Sequence, residues 1–411
     1  MEVLVERCAG LDVHKDTVAA CIRTPDPQGG RAQEVRTFRT TTVELLALRD
    51  WLTACGVTLV GMESTGVYWK PIYYVLEDAL ECWLLNARHL RNVPGRKTDV
   101  KDAEWICQIT EHGLVRPSFV PPKPIRELRN LTRYRKAQIE ERTREAQRLD
   151  KMLQDAGIKL SSVASDILGV SGRDMLNALV RGTRDPEILS ELARGRLREK
   201  IPALREALVG RFSAHHALVV GSILAKLDFL DEIIATISAE IDVVVAPFEA
   251  KLKLLDTIVG VDKLTSEGVI AEIGVDMSRF GSAERLASWA GMCPGNHESA
   301  GRQRSGKARK GSKWLSTYLT EAAKAAARSK DTYFSSQYHR LRGRPGAARA
   351  TKAVGHSILV AAYHILERGV PYEDPGAEFF VRRHPEAQAR KLIRQLNALG
   401  YTVTLNPLEA A

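Results

Sequence analysis

Between Cys8 and Leu85 the apolar residues fall first into strand-length runs and then into runs separated by helical periods. Cys8–Val13 reads as a buried strand, turned by His14-Lys15-Asp16 into a second strand at 17–22, with a third at 34–40. Thr41 and Glu44 have capping-box spacing ahead of a helix carrying Leu45, Leu48, Trp51 and Leu52, which Gly56 ends. A buried strand at 57–62, a helix at 71–79 and a strand at 82–85 follow. Three strands and then strand–helix alternation predict a mixed α/β sheet that begins as a meander and continues through parallel crossovers.

Pro117, Pro121, Pro122 and Pro124 mark a stiff linker, after which residues 125–154 are nearly free of helix breakers and heavily charged. They predict a long, partly exposed helix. Leu227, Leu230, Ile234, Ile237, Ile241 and Val244 recur at spacings 3-4-3-4-3, and Pro247 ends the run. That heptad seam fits a coiled-coil hairpin or dimer contact, and equally an amphipathic helix packed on a neighbour. Residues 155–215 read as short helical pieces broken by Gly and Pro, with no assignable motif. Two short helices around Val259-Gly260-Val261, a helix at 314–327 and a last apolar helix at 354–366 complete a mainly helical remainder. The expected domains are 1–118, α/β; 119–253, helical with a coiled coil; 254–370, mainly helical; and 371–411, a tail with a small helix and a strand.

Composition narrows the function. The 411 residues are 44% hydrophobic, enough for more than one core. No apolar run approaches ~18 residues and the N-terminus is no signal peptide, so a cytoplasmic protein without a membrane span is expected. Six cysteines lie far apart without a Cys-x-x-Cys pair, as small core residues in a reducing compartment would, and no His/Cys set suggests zinc. The net charge is +10, but residues 301–352 alone carry 14 Lys/Arg against Glu321 and Asp331, a local +12. The remainder therefore sums to −2, and the concentrated positive field is the footprint of a phosphate binder.

The candidate chemistry lies at both ends. Asp12 interrupts an apolar strand and Glu63 follows another; a lone acid there needs a partner, and two on separate strands can share a divalent cation. The strand order is also that of an RNase H-like core. Asp99 and Asp102 open a helix that buries Ala103, Ile106 and Ile109, three residues apart and able to share one face. Asp99 serves equally well as a plain N-cap, and an acid near a helix start suits the dipole. Four carboxylates from strand, strand and helix start could hold two Mg²⁺ ions, which prefer oxygen ligands and can clamp an in-line phosphoryl displacement.

Residues 291–314 form the second candidate. Ser299 sits between Glu298 and Ala300, and Arg302, Arg304, Lys307, Arg309, Lys310 and Lys313 follow without an intervening acid. The stretch is too polar for core and too Gly-rich for a stable helix, so a basic loop against a polyanion is expected. Arg340, Arg342 and Arg344 extend the cationic set beside a turn built on Gly343, Pro345 and Gly346.

The ordered parts resemble the insertion sequence 110 family of transposases, to which pilin-gene invertases are also similar. The matching stretches are Gly10-Leu-Asp-Val-His-Lys-Asp, Glu63-Ser-Thr-Gly-Val-Tyr and Lys97-Thr-Asp-Val-Lys-Asp-Ala, then the Val-Gly-Val hairpin, Trp289-Ala-Gly-Met-Cys-Pro and His297-Glu-Ser-Ala-Gly. The resemblance implies a RuvC-like DEDD domain with Asp12, Glu63, Asp99 and Asp102 binding Mg²⁺, or Mn²⁺ in its place. It implies a transposase domain with Ser299 as nucleophile, forming a phosphoserine link to DNA. It further implies a dimer assembling to a tetramer, composite sites between subunits, a structured bridge RNA selecting target and donor DNA, and work at the bacterial nucleoid. Asp262 departs from the pattern by replacing the second glycine of a helix-hairpin-helix turn, and the middle segment is longer than in compact members. Two other readings stay open: a hydrolytic RNase H-like nuclease or junction resolvase, and a non-catalytic nucleic-acid-binding regulator.

Overall fold

In β1 (Cys8–Val13) every residue except Asp12 is buried, because helices cover both faces of the strand. The computed structural model describes residues 2–63, 66–86, 90, 102–294, 297–299, 302–305, 308, 310–343, 346–383 and 385–404, with the backbone alone at 297–299, 302–305, 387 and 388. The chain divides into two units, Met1–Val120 and Pro121–Ala411. In the first, β1 pairs antiparallel with β2 (Thr17–Pro25), and β2 antiparallel with β3 (Arg31–Arg39). β4 (Leu59–Glu63) lies parallel to β1, and β5 (Glu81–Leu85) parallel to β4, giving the order β3-β2-β1-β4-β5. This is the expected mixed sheet of a RuvC-like core.

Helices α1 (Thr42–Ala54) and α2 (Trp69–Leu76) supply the crossovers and pack Leu45, Leu48, Leu52, Ile72 and Leu76 against Ala9, Leu11, Val60 and Met62. Thr41 occupies the N-cap of α1, but its side chain makes no capping bond, so the box expected with Glu44 does not form. Burial of the apolar stripe holds the helix instead. Helix α3 (Asp102–Glu111) covers the other face, with Ala103 and Cys107 against Cys8 and Cys21.

The C-terminal end of α3 is locked electrostatically. Glu111, fully buried, accepts a 2.9 Å hydrogen bond from Arg23 Nε, and Arg31 faces its other oxygen in an ion pair without hydrogen-bond alignment. Replacing Glu111 by Ala strands two half-buried guanidinium groups. We expect it to lower the stability of this unit by about 3–5 kcal/mol, read as a lower urea midpoint for the full chain.

In the second unit the long helices α4 (Lys123–Asp155) and α9 (Ala214–Val245) pack along each other, tied by Arg142–Asp231 and by Lys226 to Glu141 and Glu145. Along the seam Leu227, Leu230 and Ile241 are buried, whereas Ile234, Ile237 and Val244 are half-buried. Between them α5 (Leu160–Val163), α6 (Val170–Val180), α7 (Pro186–Ser190) and α8 (Ile201–Ala207) share one core with Leu149, Leu153, Val220 and Leu224 of the long pair. Then come α10 (Glu249–Asp256), α11 (Lys263–Ile273), α12 (Ala283–Trp289), a two-stranded hairpin, α13 (Lys313–Ala326), α14 (Tyr333–Arg342) and α15 (Ala347–Arg368). The tail carries α16 (Phe379–Arg382) and α17 (Pro385–Ala398) and no strand among its described residues.

Candidate active site

Two glycines bring α3 down onto the sheet. A Cβ on Gly10 would stand 2.1 Å from Cys107 N and 2.4 Å from Ala103 O; one on Gly61 would stand 2.3 Å from Thr110 Oγ1. Side chains two apart in a strand share a face. Asp12 and Glu63, each two residues beyond its glycine, therefore lie on the α3 face of the sheet. The parallel register pairs Leu11 with Met62, so Asp12 and Glu63 come next, side by side on adjacent strands. Helix α3 runs opposite to β1: the N–H groups of Leu4 and Val5 meet Glu111 O, and Cys8 Sγ lies 3.6 Å from Cys107 Sγ. Its N-terminal residue, Asp102, is thus turned toward the strand ends that carry Asp12 and Glu63.

All three acids are half-buried. Asp12 Oδ2 lies 3.1 Å from His14 Nε2, whose ring is mostly exposed. Asp99 lies outside the described residues. The carboxylate oxygens of Asp12, Glu63 and Asp102 are ligands of the kind a hard divalent ion takes. The glycines two residues before each acid escaped the sequence reading; the repeated Gly-x-acid of Gly10-Leu-Asp12 and Gly61-Met-Glu63 was the available signal.

In the second unit, residues expected to form a loop instead make a short antiparallel hairpin, β6 (His297–Ser299) with β7 (Arg302–Ser305). Ser299 ends the first strand opposite Arg302, beside the reversal, and the register is irregular between His297 and Glu298. The base of the excursion is fixed on both sides. Met292 is buried, its Cε 3.1 Å from where a Cβ on Gly355 would sit, and a Cβ on Gly311 would meet Ala290 O at 2.1 Å. Ser312 caps α13, accepting from Leu315 N, and donates to Glu272 Oε2 at 2.9 Å. Glu272, almost fully buried, holds Arg133 through both oxygens, at 2.7 and 2.9 Å. A network joining Arg133 of α4, Glu272 of α11 and Ser312 thus fixes the start of α13.

The cations sort by position. Arg302 and Arg304 belong to β7, Lys310 is exposed, and Lys313 is exposed with its ammonium 4.8 Å from the Trp314 ring centre. Arg340 and Arg342 occupy the last turn of α14, where positive charge suits the helix dipole, and Arg340 stacks 4.3 Å over Phe380. Lys307, Arg309 and Arg344 lie outside the described residues. The Val259-Gly260-Val261 turn has a different task. A Cβ on Gly260 would meet Ala322 O at 2.5 Å, so the turn packs directly on α13. Asp262 is the N-cap of α11 and accepts from Thr265 N at 2.8 Å. It occupies one of the amides a phosphate would use and places negative charge there.

Two family models match the chain. Residues 9–158 match the DEDD transposase model of the IS110 group, and residues 252–339 match the model described as "Transposase IS116/IS110/IS902 family". Together the two matches span more than half the sequence, and they cover both parts just described. The chain belongs to this transposase family. It is accordingly a DNA-binding, DNA-processing enzyme, and the four-acid signature of its first domain suggests use of a divalent metal. No curated protein matches it. The match to the first model carries the acids of the sheet and helix α3 of the transposase; the match to the second carries the hairpin with Ser299 and α13. Among the described residues no helix of the transposase is long and apolar enough to cross a membrane.

Proposed function

We propose that this transposase is a DNA recombinase that cleaves and exchanges strands through a covalent link between Ser299 and a DNA phosphate. The observation that carries the reading is the placement of Asp12, Glu63 and Asp102 at one end of one sheet, in a chain that also carries the family's second domain. In the proposed step Ser299 Oγ attacks a backbone phosphorus, a P–O bond to serine forms, and a P–O bond to deoxyribose breaks. The serine proton leaves to a carboxylate base, and the deoxyribose oxygen departs with the bonding pair and takes up a proton from water to become a hydroxyl. Attack of another strand's hydroxyl on the phosphoserine reverses the bond change and joins new ends, so bond energy is conserved without a nucleotide cofactor.

A serine hydroxyl needs activation, and Asp12, Glu63, Asp99 and Asp102 are assigned to hold Mg²⁺, with Mn²⁺ as a substitute. When bound, the ions would supply Lewis-acid stabilisation of the phosphoryl oxygens and acidify the attacking hydroxyl. The acids belong to one unit and Ser299 to the other. The proposal includes a composite centre in a dimer assembling to a tetramer, the acids of one subunit serving the serine of another. Arg302, Arg304, Lys307, Arg309, Lys310, Lys313, Arg340, Arg342 and Arg344 would hold nucleic-acid backbone, and a structured bridge RNA would choose target and donor DNA in the cytoplasm, at the nucleoid.

A second reading needs only the carboxylates of the first unit: hydrolysis by an RNase H-like nuclease, with water in place of Ser299. The ends of the product separate the two. With end-labelled donor DNA, Mg²⁺ and the RNA that co-purifies from cells bearing the flanking element, the recombinase reading expects label retained on denatured protein, together with joined products. Free nicks with no label on protein would establish hydrolysis in its place.

A further inference from the structure

Where the sequence offered no zinc-type set and no motif between 155 and 215, the fold brings Asp155, His215 and His216 together. Their ligand atoms all lie within 4.8 Å of one another. Asp155 is the last residue of α4, and the two histidines stand in the first turn of α9. The three residues thus bracket the insert of short helices at its base. His216 is 5% exposed and wedged against Phe212, whereas His215 and Asp155 reach solvent.

The hydrogen bonds around this trio orient both imidazoles. Ser213 Oγ lies 2.8 Å from His215 Nδ1 and 2.9 Å from His216 Nδ1. In the capping box of α9, Ser213 Oγ accepts from the backbone N–H of His216 while Ser213 N donates to His216 Nδ1 at 3.2 Å, so without an ion His216 carries its proton on Nε2. The rings lie 3.8 Å apart at 36°, close to parallel. His216 Nε2 is 3.1 Å from Asp155 Oδ2. An ion that took the place of the Nε2 proton would sit between that nitrogen and the carboxylate oxygen. Two atoms each about 2.0–2.1 Å from one tetrahedral ion stand roughly 3.3 Å apart, close to the observed spacing. A ligating histidine ordinarily donates its other N–H to an oxygen, the part Ser213 Oγ plays for His215. Metal binding therefore competes with the proton that His216 Nε2 donates to Asp155 in the ion-free protein.

We propose that Asp155, His215 and His216 form a binding site for a transition-metal ion of the zinc class, completed by water, that clamps the end of α4 to the start of α9. Two nitrogens and one oxygen suit Zn²⁺ and disfavour Mg²⁺. The negative end of α4 and the Asp155 charge offset the positive N-terminus of α9. The site is separate from the proposed chemistry of Ser299 and the acids.

The test uses the full-length chain stripped with a chelator and titrated with Zn²⁺ against a chromophoric competitor, with Co²⁺ as a spectroscopic probe. The variants are Asp155→Asn and His215→Asn, both at exposed positions. The expected result is one ion per chain, a Co²⁺ spectrum without a thiolate charge-transfer band, and an affinity lowered at least about tenfold by each variant. Zn²⁺ should also raise the Tm of the wild type more than that of either variant. Absence of a stoichiometric site, or a site whose affinity neither substitution changes, would overturn the proposal.

Discussion

Ser299→Ala is expected to abolish the covalent protein–DNA adduct, a fall of roughly three orders of magnitude or more in strand exchange. DNA and RNA binding should stay within a factor of about two, because the change removes one hydroxyl and leaves every cation in place. The expectation rests on placement. Ser299 ends β6 beside the hairpin reversal, and the return of the excursion is fixed by Gly311 against Ala290 and by Ser312 on the buried Glu272. Denaturing electrophoresis of labelled DNA after reaction, with filter binding in parallel, measures both quantities. An undiminished adduct in the variant would remove Ser299 from the mechanism.

The second large effect belongs to Asp12. Asp12→Asn keeps the shape of the side chain and removes the charge from the acid set on the α3 face. Adduct formation and joining should fall at least about 10²-fold, while backbone binding is unchanged or slightly stronger, since a negative charge has gone. Measuring adduct yield across an Mg²⁺ titration, beside binding at fixed salt, separates these outcomes. Recombination at the wild-type rate would mean that the sheet end does not bind the catalytic ion.

Much of the first unit was legible because its signals are local. Acids interrupting apolar strands, Gly56 after a helix and a Pro-rich linker all act through neighbouring residues. The repeated Gly-x-acid marks Gly10 and Gly61, but why they must be glycine shows only against Cys107 and Thr110, some fifty to a hundred positions away. The same holds for Glu272 and Glu111, whose arginine partners come from distant helices or strands. The basic run hid a hairpin because its pairing rests on backbone hydrogen bonds between residues whose composition suggests only a loop. Asp262 was identified as a departure from the helix-hairpin-helix pattern, but its capping of α11 emerged only once Thr265 N was placed. His215 and His216 carried no recognisable spacing, because their third partner, Asp155, lies across the whole insert.

The central claim is that the hydroxyl of Ser299 becomes the phosphodiester partner of the DNA. The most direct measurement is peptide mapping by mass spectrometry of the adduct trapped with Mg²⁺ and native flanking DNA, after nuclease trimming. A nucleotide remnant on the peptide containing Ser299, at that side chain, is the predicted result. A remnant on another residue, or cleaved DNA with no modified peptide, would contradict it.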